Sequence, residues 1–128
     1  MNSNQIHPTS IIRVLITNLR GVIATIVEQA IQQQPDIELL GNVNEWEALI
    51  PFLPRADILV LNVENVYSPP ESCFQILHEY PNLKIFVLNT RDDEAIIYWR
   101  ALYCQQIQII SSQTLIESIR QIHSLSPF

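Results

Sequence analysis

The sequence is poor in glycine, in lysine and in charge. Two glycines, Gly21 and Gly41, among 128 residues cannot build the glycine-rich turns that cradle nucleotide phosphates, so a P-loop and a dinucleotide fingerprint are both excluded. Lys84 is the single lysine and six arginines are scattered along a chain of net charge −6 and pI near 4.8. Such a chain has no basic patch to neutralise phosphates, so neither direct nucleic-acid binding nor attachment to an anionic membrane is expected. No apolar run approaches the ~20 residues that cross a bilayer, and no basic start followed by an apolar core marks a signal peptide. Only two cysteines occur, Cys73 and Cys104, both in apolar stretches that read as helical. They are expected to be reduced thiols in or near the core of a cytoplasmic protein. His7, His78 and His123 stand at no metal-ligand spacing with them.

What the chain has in quantity is apolar residues, 48% against 16% charged, enough for one domain with a real core. The apolar residues alternate between two periods. "IIRVLIT" (Ile11 to Thr17) reads as a strand, and "VIATIVEQAIQQQ" as a helix with Ile23, Ile26, Val27, Ala30 and Ile31 at helical spacing, ended by Pro35. "IELLGNV" is a second strand. "NEWEALI" is a short helix that Asn44 is placed to cap and Pro51 closes, with Trp46 packed over the sheet edge. "DILVLNV" is the third strand. Ser68, Pro69 and Glu71 form a capping-box signature for a third helix running to about His78. "LKIFVLN" is the fourth strand. Thr90, with Asp92 and Asp93 behind it, is expected to cap a fourth helix, "DDEAIIYWRALYC". "IQII" is a short fifth strand and "QTLIESIRQIH" a last amphipathic helix. The pattern implies one α/β domain over 11–123, a five-stranded parallel sheet with helices on both faces, between tails at 1–10 and 124–128.

In a sheet of this kind ligands gather beyond the carboxyl ends of the strands. The third strand ends in "DILVLNVEN", where four buried apolar residues stop at a neutral amide, Asn62, with the acid Glu64 two places on. The corresponding positions elsewhere are Asn18 and Leu19, Asn89 and Thr90, and Ser111 and Ser112.

"IRVLITNLRGVIATIVEQAIQQQPDIELLGNV", with "ADILVLN", "KIFVLN" and "ESIRQI", resembles bacterial response-regulator receiver domains, and most closely the class usually joined to a helix-turn-helix DNA-binding domain. The resemblance covers about Ile11 to His123 and implies the flavodoxin-like fold. It also implies where a receiver's chemistry would lie, and there the match fails. The paired acids after strand one fall on Asn18 and Leu19, the phosphoryl-accepting aspartate on Asn62, and the hydroxyl residue after strand four on Asn89. The lysine after strand five falls on Ser112 or Ser111, and the aromatic switch on Ile109 or Gln108. An amide oxygen is a poor nucleophile, leucine offers no ligand, and Mg²⁺ requires anionic oxygen. The expectation is a pseudo-receiver that catalyses nothing and holds neither metal nor cofactor.

Glu64 alone makes a weak cation ligand and reads as a solvated loop acid. Asn18, Asn62 and Asn89 read as a neutral plug in which the amides hydrogen-bond one another and the loops; a small ligand held by those amides and the two serines is the alternative. On the expected fourth helix, Ile96, Trp99 and Tyr103 recur at i, i+3, i+7, a stripe suited to contact with a protein partner. In the resembled family the surface of helix four, strand five and helix five commonly mediates dimerisation. The function this implies is phosphorylation-independent protein–protein interaction in bacterial signalling, as a homodimer through that surface. The other alternative is a transcription regulator whose DNA-binding domain lies on another segment or chain.

Overall fold

The computed structural model describes residues 11–68, 70–91, 93–99 and 111–123, and the backbone of 103–108. The expected tails, 1–10 and 124–128, and Pro69, Asp92, Arg100, Ala101, Leu102, Ile109 and Ile110 lie outside the described residues. The elements run β1 (Ile12–Thr17), α1 (Gly21–Gln32), β2 (Ile37–Val43), α2 (Trp46–Leu49), a 3-10 turn (Leu53–Arg55), β3 (Ile58–Asn62), α3 (Glu71–Glu79), β4 (Lys84–Asn89), β5 (Glu94–Trp99), β6 (Tyr103–Gln108) and α4 (Ser112–His123).

One sheet carries the order β2-β1-β3-β4-β5-β6. The first four strands are parallel, as continuous apolar runs buried on both faces require. Each face has its own core. Val14, Ile16, Ile58, Val60, Phe86 and Ile97 point to the side covered by α1 and α4. Leu15, Leu59, Leu61, Ile85, Val87 and Ile96 point to the side covered by α2 and α3. The strict alternation is the period of two that a strand imposes on successive side chains. A bulge interrupts the β1–β2 ladder, where Val14 faces Leu39 but Leu15 faces Gly41, so that Leu40 is the extra residue.

The flavodoxin-like α/β architecture is as expected through β4, and the chain then departs from it. The expected fourth helix is absent. Residues Glu94–Trp99 form β5, antiparallel to β4 with Lys84 opposite Trp99 and Asn89 opposite Glu94, and β6 folds back antiparallel on β5. The reason lies in "AIIYW", a run of β-branched and aromatic residues with high strand preference. The chain reverses between Asn89 and Glu94 to deliver it to the sheet, with Asp93 in the left-handed region at φ 55. Of the expected short strand Ile107–Ile110, Ile107 and Gln108 lie in β6, which starts earlier and runs antiparallel to β5, and the other two positions lie outside the described residues. Thr90 therefore caps no helix.

The contact stripe dissolves with the helix. Ile96 is 6% exposed and packs toward α3, while Trp99 is half-buried against the α1–α4 core. Tyr103 stands opposite Trp99 on β6. Period two sends Ile96 and Trp99 to opposite faces of the sheet, so they form no common surface. Tyr98 occupies the space between β5 and α3: its hydroxyl donates to the Val66 carbonyl at 3.2 Å, and its ring meets Phe74 edge to face at 5.5 Å.

Two helix starts also differ. α3 begins at Glu71 after Pro70, without a side-chain cap from Ser68, and α2 begins after Glu45 without one from Asn44. Cys73 is fully buried on α3 as a free thiol, pushed up to about 11 by desolvation. Trp46, expected over the sheet edge, is half-buried against the core on the α2–α3 side, and Cys104 lies on a strand, not a helix.

Candidate functional site

The carboxyl ends of β1, β3 and β4 bring the expected positions to one end of the sheet. β1 ends at Thr17, and the chain then turns sharply at Asn18, which has φ 63. That turn leaves the Asn18 side chain exposed and drives Leu19 inward to 3% exposure, into the core beneath α1 and α4. Leu19 is thus a packing residue at a position where a receiver would present an acid.

Asn62 is half-buried at the end of β3, and its Oδ1 accepts the Thr90 amide at 3.4 Å. Asn89 is 4% exposed. Its Nδ2 donates to the Glu64 carbonyl at 2.7 Å and its Oδ1 accepts the Arg91 amide at 2.9 Å. The amide works here because it donates and accepts at once; it ties the loop after β3 to the β4–β5 turn. Asn62 and Asn89 therefore bond loop backbones, as expected. The expected bonds among the three amides do not form: Asn18 faces solvent because its backbone turns its side chain away from the sheet end. Glu64 is an exposed loop acid that contributes its backbone carbonyl.

These residues do not fit Mg²⁺. Leu19 has no oxygen, Asn18 points to solvent, and the Asn62 oxygen is occupied by a backbone donor. Among the described residues no three of His, Cys, Asp and Glu come together as a metal-binding group.

Beside this plug lies a cleft of about 270 Å³ between α1 and α4. Ile23, Ile26 and Val27 of α1, Leu88 of β4 and Leu115 of α4 make its apolar floor. Its rim is polar: Asn89 and Thr90 end β4, Asp93 and Glu94 come from the turn and the start of β5, and Ser111 and Ser112 begin α4. Of the eight expected pocket positions, Asn89, Thr90, Ser111 and Ser112 line this cleft, while Asn18, Leu19, Asn62 and Glu64 do not. The Ser111 hydroxyl accepts the Thr114 amide at 3.1 Å, capping α4. Ile23 and Ile26, read from the sequence only as apolar residues at helical spacing, are 41% and 46% exposed, and Val22 beside them is 74% exposed. The sequence signal was a surplus: α1 carries apolar residues over more of its circumference than one buried face needs.

Among solved structures, the response regulator domain of Thermotoga maritima CheB superposes with a TM-score of 0.63 at 17% identity, over 91% of this chain and 99% of that one. The chain has the receiver fold. Two structures of the Salmonella typhimurium RcsB response regulator also match, at 20% and 19% identity with TM-scores of 0.47 and 0.48. They cover 62% and 64% of this chain, which spans less than half of theirs (44% and 43%). No protein-family profile matches the chain, and no curated protein matches it significantly. Within the receiver fold, this chain keeps the parallel half of the sheet and places a β-hairpin after β4. None of its described helices is long and apolar enough to cross a membrane.

Proposed function

We propose that this receiver-fold domain accepts no phosphoryl group and serves as a protein-interaction module in signal transduction. The observation that carries the reading is the pairing of Leu19, packed into the core, with Asn62, whose amide oxygen binds the Thr90 backbone. The sheet end that would hold an attacking carboxylate and its metal ligands holds a hydrocarbon and a neutral, engaged amide instead. Phosphoryl transfer depends on charge stabilisation at the reacting oxygens, and these side chains supply none. Incubation with a small phosphodonor and Mg²⁺ is expected to leave the intact mass unchanged; one added phosphoryl group would overturn the reading.

The proposed contact surface moves with the structure, from a helix to the margin of the sheet. β6 is the last strand, and among the described residues nothing pairs with its outer edge. Its sequence, Tyr-Cys-Gln-Gln-Ile-Gln, contains neither charge nor proline, the devices that normally blunt an edge. A second copy pairing antiparallel on that edge would form a closed two-fold dimer. Light scattering is expected to report a dimer, and Gln105→Lys with Gln106→Lys to shift it toward monomer. An unchanged dimer in the double variant would place the interface elsewhere.

A further inference from the structure

α1 buries one side and leaves another apolar. Ala24, Val27 and Ile31 pack into the core beneath it. Val22, Ile23 and Ile26 stay in contact with water, an unfavourable state that an apolar cover relieves. Val22 and Ile26 are one turn apart, so they stand one above the other on the outer surface, with Ile23 to one side. Gln29 and Gln33 continue that surface, with Thr25 and Gln32 at its margin, and all four are exposed. None of these residues carries a charge. The one acid of α1, Glu28, is half-buried on the β2 side of the helix, where it accepts the Asn42 side-chain amide. A chain of net charge −6 thus presents a helix face that is aliphatic at one end and amide at the other.

That make-up suits one kind of cover. Across a two-fold axis the same patch meets itself, so a charged side chain near the axis would oppose its own charge. Aliphatic side chains carry no such penalty, and a glutamine amide can face its own copy because it both donates and accepts. A second copy, itself at −6, can approach here without setting acid against acid, whereas a charged partner finds no ion on this face to pair with. We propose that α1 of one copy packs antiparallel across α1 of a second, with Val22 of each against Ile26 of the other. This arrangement brings Arg20, exposed just before the helix, level with Gln29 of the second copy, whose amide oxygen can accept from the guanidinium. One helix crossing another makes a small interface, below about 1,200 Å² in total, which is the size of weak specific contacts. Pairing therefore builds up with concentration. It requires neither the loss of phosphoryl transfer nor the pairing of β6 edges; where both surfaces are used, edge-paired dimers join through α1 into larger assemblies.

Sedimentation velocity on the full chain, from micromolar to millimolar concentration, tests it, with thermal unfolding of the dilute protein in parallel. The average mass of the wild type is expected to rise with concentration above its dilute value. Ile26→Glu sets a carboxylate against Val22 of the second copy and is expected to weaken this association at least tenfold, with the melting temperature little changed because the position is already exposed. Gln75→Glu adds the same charge at an exposed position on α3 and should associate as the wild type does. In the Gln105→Lys, Gln106→Lys background the rise should persist, from monomer to dimer, and adding Ile26→Glu should abolish it; the α1 contact and the β6 contact thus fail separately. A wild-type mass independent of concentration, or a rise that Ile26→Glu leaves in place, overturns the proposal. So does an Ile26→Glu chain that melts much earlier while associating normally, the result expected if another segment of the same chain covered this face.

Discussion

At the scale of single residues, long-range polar contacts hold elements together more than they build a site. Arg120 on α4 grips Asp36, before β2, through two hydrogen bonds of 2.9 Å. Its guanidinium holds the Asp36 carboxyl below the usual carboxylate range. Both groups are more than a third exposed, so solvent screens the pair, and Arg120→Ala is expected to cost about 0.5–1 kcal/mol. Because the folded pKa of Asp36 is depressed, this contribution is present above its ordinary value near ~3.9 and fades as pH falls through the lowered one. The difference in urea midpoint between wild type and Arg120→Ala should therefore shrink below about pH 4. Cys73 yields a second residue-level prediction. A buried thiol raised to about 11 carries little thiolate at pH 8, so alkylation mapped to Cys73 should proceed only as the protein unfolds. Leu19 yields a third: Leu19→Asp puts an acid where a receiver has one, but inside a packed core. It should destabilise on the order of 3–5 kcal/mol in denaturant titrations.

At the scale of elements, much was legible and one segment was not. β1, β3 and β4 announced themselves as short apolar runs bounded by turn residues, and α1 and α4 by their spacing. Ala95–Trp99 is five apolar residues long, too short for period two and period 3.6 to be told apart. Ile96 and Trp99 at i, i+3 satisfied a helix, and the resemblance to receivers pointed the same way. The sheet decided otherwise: as a strand, Ala95 and Ile97 fill one core while Ile96 fills the other. Ile97→Lys should accordingly be among the most damaging single changes, at about 3 kcal/mol or more by denaturant titration, since Ile97 is fully buried at the sheet interior. The candidate site divides in the same way. That Asn62 and Asn89 would stand at strand ends and bond nearby loops could be read from the runs they terminate. The α1–α4 cleft could not, because its floor joins Ile26 and Leu115, residues that only the tertiary packing brings together.

At the scale of the whole molecule, two unequal halves share one sheet. The parallel half, β2-β1-β3-β4, needs crossovers through helices, while the antiparallel half, β4-β5-β6, is joined by short turns. Bringing distant segments together carries a loop-closure cost that short turns avoid. The hairpin after β4 thus gives the polypeptide a stretch of sheet that can form before β1 has found β3. In refolding experiments followed by pulse-labelled exchange, amides of β4 and β5 should acquire protection first, and those of β1 and β2 last. Where a helix would have left the fourth strand waiting for a remote partner, this chain carries its own template within reach, and the order of assembly runs from the carboxyl end backward.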